Sequence, residues 1–85
     1  MSRVEKIHAA LAAAFAGAEI TVRDDSHLHA GHAGAATGRG HFSVRVVTPA
    51  FEGLSPIARH RAVYAAVDAL MQTDIHALAI EAKTA

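Results

Sequence analysis

The chain has 85 residues, enough for one domain with a small hydrophobic core, so residues 1–85 are expected to form a single domain. Eight basic residues balance eight acidic ones, whereas most nucleic-acid-binding domains carry a clear basic excess. The sequence contains no cysteine and therefore provides neither a disulfide nor a thiolate ligand for a metal.

The N-terminal segment, MSRVEKIHAA, has no signal-peptide pattern, and no apolar run approaches the ~18 residues of a membrane-spanning helix. The missing cysteines fit a reducing compartment. These features predict a cytoplasmic protein without a membrane segment.

Residues 2–15 are predicted to form the first helix. Ser2 and Glu5 have the spacing of a capping box, and Gly17 provides the residue type that commonly ends a helix in a left-handed conformation. One face carries apolar residues at helical spacing: Val4, Ile7, Leu11, Ala14 and Phe15.

Three segments are predicted to be strands. Residues 18–25 (AEITVRDD) and 41–48 (HFSVRVVT) alternate between apolar and polar, and residues 75–82 (IHALAIEA) form the third. Before this third strand, Ser55 and Pro56 begin a second helix that continues to residue 72. Its predicted apolar stripe is Ile57, Tyr64, Val67 and Met71, joined by Val63 and Leu70.

This order predicts an α+β fold, α-β-β-α-β, in two layers. The first two strands are expected to pair antiparallel. The second and third are joined through a helix, and such a crossover normally connects parallel strands. The result is a three-stranded mixed sheet with the helices on one face.

The segment between the first two strands, residues 25–41, is long and rich in histidine (DSHLHAGHAGAATGRGH). It holds His27, His29, His32 and His41. Structureless loops beyond about 12–15 residues are commonly functional or disordered. A third strand parallel to the second starts at the same sheet edge, so we expect the loop histidines to converge with His76. Neutral imidazoles suit iron, zinc, copper or nickel, and two of them leave coordination positions for a partner or cofactor.

Each of these histidines also has an ordinary interpretation. A loop histidine can be a solvated polar residue, and a spacing such as His29-x-x-His32 is a weak indicator of metal binding. On strict alternation His76 shares a face with Leu78 and Ile80, so a buried core histidine is an equal alternative.

Other polar groups give less specific signals. Arg59, His60 and Arg61 lie in the first turns of the second helix and can bind an anion, a nucleic-acid phosphate or an acidic partner, or can form a solvated face. Asp24 and Asp25 are adjacent strand-end carboxylates, which usually face solvent. No orienting acid or oxyanion hole accompanies a nucleophile, so no enzyme activity is expected.

Two stretches resemble the BolA family: F-x-G-x-S-x-x-x-R-H-R-x-V-Y, from Phe51 to Tyr64, and the I-H-A-L-A-I strand that contains His76. The resemblance implies a fold like the class II KH domain. It also implies a 2Fe–2S cluster shared with a monothiol glutaredoxin, with glutathione supplied through that partner. The family's S-x-x-H pattern corresponds to Ser26 and His29.

The resemblance therefore implies His29 and His76 as cluster ligands, with His32 as the alternative in the long loop. Arg59, His60 and Arg61 are expected to line the partner-facing surface. The family also includes DNA-binding transcriptional regulators, which implies the second helix as a docking element, although the zero net charge argues against this reading. A histidine-rich metal scavenger and a weak homodimer are further alternatives.

Overall fold

The elements follow the order helix, strand, strand, helix, helix, strand. This computed structural model describes residues 1–26 and 40–85. The helices are α1 (Arg3–Ala14), α2 (Pro56–Ala66) and α3 (Asp68–Thr73), and the strands are β1 (Glu19–Asp24), β2 (Gly40–Val47) and β3 (Ile75–Lys83). A short 3₁₀ helix, Pro49–Phe51, precedes α2.

The three strands form one sheet in the order β1-β2-β3, so β2 is central. Strand β1 pairs antiparallel with β2, from Glu19 opposite Val47 to Asp24 opposite Phe42. Strand β3 pairs parallel with β2. Both strand directions are as predicted from the sequence, and so the mixed three-stranded sheet is confirmed.

The first helix also begins and ends as predicted. The amide of Ser2 donates to Glu5 Oε1 at 2.9 Å, and the amide of Glu5 donates to Ser2 Oγ at 3.1 Å, which is the reciprocal capping box. The serine contacts hold the pKa of the Glu5 carboxyl below its usual value. Gly17 follows with φ at 78°. The chain can therefore turn sharply from α1 into β1.

The core lies between the helices and one face of the sheet. Along β2, every second residue from Gly40 to Val46 is buried, and the residues between them are half-buried on the other face. The fully buried side chains are Ile7, Leu11, Phe42, Val46, Phe51, Val63, Val67 and Ile75. Each such aliphatic side chain contributes about 1.5–3 kcal/mol by leaving water. The packing of the helices on the sheet therefore depends on the alternating burial along β2.

The second helix is interrupted, in contrast to the continuous helix expected from the sequence. Helix α2 ends at Ala66 and α3 begins at Asp68, with Val67 between them at φ −111° and ψ 17°. The Val67 amide is shared between the carbonyl oxygens of Val63 and Tyr64, which tightens the last turn. Asp68 is a weak helix former, so this position is a suitable break.

The predicted apolar stripe of the second helix is only partly correct. Val63 and Val67 are buried, but Ile57 is 64% exposed and Tyr64 is 40% exposed. Ile57 and Tyr64 lie seven residues apart, on a flank beside the buried stripe. Ile57, in the first turn, and Tyr64, two turns later, therefore present apolar side chains to solvent instead of to the core.

Asp74 joins the start of β3 to two other parts of the fold. Its carboxylate lies 3.3 Å from Lys6 Nζ and 3.5 Å from Arg3 Nε, both on α1. Its carbonyl oxygen accepts a hydrogen bond from the amide of Gly40 at 2.9 Å. Asp74 therefore fixes the position of β3 relative to α1 and to the first residue of β2.

Ser26 and Gly40, the described residues that flank segment 27–39, approach each other closely. Ser26 Oγ accepts a hydrogen bond from the amide of His41 at 3.1 Å. A Cβ at Gly40 would lie 2.6 Å from Ser26 Oγ and 2.7 Å from the ring of Phe42, so only glycine fits here without a shift. Both ends of the histidine-rich segment thus leave the sheet at one point.

Asp74→Asn is expected to lower Tm at neutral pH and to flatten its dependence on pH. A hydrogen bond from Thr73, together with Lys6 and Arg3, holds the pKa of the Asp74 carboxyl below its usual value. The stabilisation is therefore present above the pKa of the unfolded chain and is lost as the pH falls through the folded value. Thermal unfolding between about pH 7 and pH 2 measures both effects.

The matched control is Asp68→Asn on the exposed side of α3, which should leave both Tm and its pH dependence close to those of the parent chain. If the Tm of Asp74→Asn fell at low pH as steeply as that of the parent chain, the pH-dependent stabilisation could not be assigned to Asp74.

Gly40→Ala is expected to destabilise the chain by about 1–3 kcal/mol, because the added methyl group overlaps the Ser26 hydroxyl and the Phe42 ring. Urea unfolding gives the change. In a Ser26→Ala background the same substitution should cost less, since one of the overlapping atoms is gone. Equal costs in the two backgrounds would show that the Ser26 contact is not responsible.

Candidate functional site

His76 is the extra residue of a β-bulge at the start of β3. In the register between the strands, Gly40 faces Ile75 and His41 faces Ala77, so β3 has one residue more than β2 at this point. The bulge lets Ile75 remain fully buried while His76 is exposed. Bulges commonly re-aim a side chain beside functional sites. The core-histidine alternative for His76 is therefore wrong.

The starts of β2 and β3 lie side by side, as the sequence-based argument required. Gly40 pairs with Ile75, and Ser26 lies against Gly40. His76 therefore stands at the same sheet edge as both ends of segment 27–39. The predicted convergence is confirmed for the ends of the segment.

His27, His29 and His32 lie outside the described residues, so their positions stay predictions.

His41 is the nearest described histidine to His76. The two ring centroids are 5.2 Å apart, with an angle of 54° between the ring planes. His41 was counted both in the histidine-rich segment 25–41 and in the predicted strand 41–48, and the structure places it within β2. The signal was present in the alternation of residues 41–48, which puts residue 41 on the face opposite Phe42.

Beside His41, Asp25 is held in a small polar network. Arg23 Nε donates to Asp25 Oδ1 at 2.6 Å, and the Ser43 hydroxyl donates to Asp25 Oδ2. Asp25 is buried, whereas the sequence suggested a solvent-facing carboxylate; Asp24 is exposed. The network fixes the end of β1 against β2, next to the point where segment 27–39 begins.

A shallow cavity of about 280 Å³ adjoins this network at the starts of β2 and β3. Its lining residues are Asp25, His41, Phe42, Ala77, Leu78 and Ala79. Ala77 and Ala79 of β3 have small side chains, which leave space beside the histidine rings. The rim of β3 is therefore accessible to a bulky group or to a partner.

The three basic residues of α2 do not have equivalent surroundings. Arg59 is half-buried, and its Nε donates to the carbonyl oxygen of Leu54 at 3.0 Å, so it stabilises the turn before the helix. His60 and Arg61 are exposed. They share one helix face with Ile57 and Tyr64, because positions i, i+3, i+4 and i+7 lie together.

This face, called the α2 face below, comprises Ile57, His60, Arg61 and Tyr64. Its last member reaches the strand of the candidate site: Tyr64 donates from its hydroxyl to the carbonyl oxygen of Leu78 at 3.3 Å. Leu78 is two residues from His76 on β3. The α2 face and the exposed imidazole are therefore linked through one strand.

The donor set of the described residues fits an incomplete metal site. In residues 1–26 and 40–85, no group of three histidine or carboxylate side chains is arranged to hold a metal ion. His76 offers an exposed imidazole at a sheet rim, which suits iron and other borderline metals. Ligands beyond His76 and the adjacent His41 must come from segment 27–39, from solvent or from another molecule.

In the same two ranges, no helix is both long and apolar enough to cross a membrane.

Comparison with known proteins identifies relatives along nearly the whole chain. A family model described as "BolA-like protein" matches residues 11–85. BolA-like protein 1 of Mus musculus is 44% identical over 78 residues, which are 92% of this chain but 55% of the mouse protein. The chain thus spans little more than half of that relative.

Solved structures agree with this assignment. BolA1 from Arabidopsis thaliana superimposes with a TM-score of 0.82 at 31% identity, covering 99% of this chain and 93% of that one. The BolA domain of SufE1 from the same plant gives a TM-score of 0.83 at 36% identity, with the same coverage. The α+β fold, with its three-stranded mixed sheet, is therefore that of BolA structures, and the KH-like description is consistent with it. On the family match and these structures, the chain belongs to the BolA-like protein family.

Proposed function

We propose that the chain binds a 2Fe–2S cluster jointly with a monothiol glutaredoxin, as a partner protein and not as an enzyme. The observation that carries the proposal is the bulge at the start of β3, which exposes His76 beside both ends of the histidine-rich segment. Membership of the BolA-like family fits an iron–sulfur-related role. One of the similar structures is, by its title, a BolA domain of SufE1.

In this proposal the chain contributes imidazoles and its partner contributes sulfur. His76 is the first ligand and His29 the second, with His32 as the alternative. The chain has no cysteine, so thiolates must come from the glutaredoxin and from glutathione bound to it. A 2Fe–2S cluster with histidines on one iron has a higher reduction potential than an all-cysteine cluster.

Neighbouring residues of the chain hold the proposed ligands in position. The bulge and the buried Ile75 fix His76 at the rim. The Arg23–Asp25–Ser43 network fixes the end of β1, and His29 follows its last residue, Asp24, by five positions in the sequence. A metal ligand held by a rigid strand loses less conformational entropy on binding than one on a free chain.

The α2 face is the proposed docking surface for the glutaredoxin. It combines two exposed apolar side chains, Ile57 and Tyr64, with the exposed Arg61. Tyrosine and arginine are enriched among residues that dominate protein–protein binding energy. The hydrogen bond from Tyr64 to Leu78 links this surface to the His76 strand, so one partner can cover both.

A DNA-binding regulator is the alternative function, with α2 as the docking helix. His60 and Arg61 are exposed there, which favours it. Two features favour a protein partner instead: the net charge is zero, and the basic side chains alternate with apolar ones on the α2 face.

His76→Ala and His29→Ala are each expected to weaken the joint cluster, because each removes one of two imidazole ligands. The chain is mixed with a cluster-loaded monothiol glutaredoxin, and the visible absorption and circular dichroism spectra are recorded with the rate of cluster loss. We expect altered spectra and at least about tenfold faster loss.

His8→Ala is the matched control, because His8 is exposed on α1 and should leave the spectra unchanged. If His29→Ala is silent and His32→Ala is not, the alternative loop ligand is correct. If neither His76→Ala nor any loop variant changes the spectra, the proposed site is wrong.

Ile57→Glu and Arg61→Glu are expected to weaken glutaredoxin binding by about tenfold or more, since both side chains lie on the docking surface. Because both are exposed, Tm should change little. Calorimetric titration with the apo-glutaredoxin measures the affinity, and Ala13→Glu, at an exposed position of α1, is the control for added charge.

A gel-shift series over salt separates the two candidate functions. The regulator would be supported by duplex DNA binding that falls steeply with salt and is lost in Arg61→Glu. An unchanged glutaredoxin affinity in both Ile57→Glu and Arg61→Glu would also favour the regulator over the glutaredoxin partner.

A further inference from the structure

We propose that His41 and His76 form a two-imidazole site for Zn²⁺ in this chain on its own, independent of the glutaredoxin and of segment 27–39. The motivating observation is the approach of the two rings, which come from neighbouring strands. The site shares His76 with the proposed cluster site but differs in its second ligand, its metal and its need for a partner.

The ring separation matches that of a metal-bridged pair. A Zn–N bond of about 2.0–2.1 Å places the centroids of two imidazoles on one tetrahedral metal about 4.5–5.5 Å apart. The observed separation of 5.2 Å lies within that interval. The 54° tilt between the planes gives neither the stacked nor the parallel arrangement that would block a shared ion.

The backbone holds both ligands in place before a metal arrives. His41 lies in the central strand, with its amide bonded to Ser26 Oγ and its carbonyl oxygen accepting from the Asp25 amide at 2.8 Å. His76 is fixed by the bulge between Ile75 and Ala77. Small residues beside them, Ala77 and Ala79, leave the adjoining cavity open for water to complete the coordination.

The chemistry of the site selects the metal. Two neutral imidazoles without a thiolate suit Zn²⁺, Ni²⁺ or Cu²⁺ better than Mg²⁺ or Ca²⁺, which prefer oxygen ligands. Since no third histidine or carboxylate joins the pair within the described residues, water must occupy the remaining positions. Such a site binds reversibly and exchanges its ion, in contrast to a closed structural zinc site.

The test is a Zn²⁺ titration of the untagged chain, followed by NMR signals of the histidine ring protons. The rings of His41 and His76 are expected to shift together, with one apparent Kd and one Zn²⁺ per chain. His8 and His60, both exposed and on helices, should not shift in that range. A silent His41, or a His41 that responds at a different Zn²⁺ concentration from His76, would overturn the proposal.

Two variants separate this site from the histidine-rich segment and from the cluster. His27→Ala/His29→Ala/His32→Ala should keep the Zn²⁺ affinity of the His41–His76 pair within about twofold, whereas His41→Gln should weaken it by about tenfold or more. Loss of the paired shifts in the triple variant would overturn the proposal. The Zn²⁺ titration contains no glutaredoxin and no cluster, so its outcome does not depend on whether the proposed function is correct. If His41→Gln does not fold, the ring shifts of the unmutated chain still test the zinc site.

Discussion

The candidate site depends on a conflict between strand alternation and burial at the start of β3. On strict alternation, residue 76 would lie on the core side with Leu78 and Ile80, and Ile75 would face solvent. Burying Ile75 gains about 1.5–3 kcal/mol, while burying an imidazole without partners has a cost of similar size. The extra residue in β3 satisfies both requirements, because it leaves Ile75 fully buried and His76 exposed.

Much of this architecture was predictable from local signals. The capping box of Ser2 and Glu5, the glycine at residue 17 and the period-two pattern of residues 41–48 each fix an element by short-range chemistry. The parallel pairing of β2 and β3 follows from the handedness of the crossover, which constrains any helix-connected strand pair. Once that pairing is given, the start of β3 must lie beside the ends of the histidine-rich segment. The sheet edge of the candidate site could therefore be predicted, but the exposure of His76 could not, since a buried histidine was an equal alternative on the alternation.

The remaining features depend on tertiary contacts that no local pattern encodes. The bulge allows Ile75 to be buried in the core. The alternation of IHALAIEA does not indicate which residue is the extra one. The break at Val67 could not be predicted from the apolar spacing either, because that spacing continues through it without interruption. Ile57 was expected in the core because hydrophobic spacing does not distinguish a face that packs on the sheet from a flank that faces solvent. The approach of His41 to His76 was not predicted, because it depends on the register between β2 and β3.

The shared use of His76 connects the two proposals energetically. A cluster ligated by His29 and His76, and a zinc ion ligated by His41 and His76, cannot occupy the same imidazole, so each ligand reduces the apparent affinity of the other. By linkage, free Zn²⁺ at ten times its Kd for the pair lowers the apparent cluster affinity by about tenfold. Because the two ligands exclude each other completely at His76, the size of this coupling depends on the ratio of the free Zn²⁺ concentration to its Kd for the pair. On the two proposals together, a rigid strand that presents one imidazole to two alternative second ligands would make the chain responsive to metal supply without any change of fold.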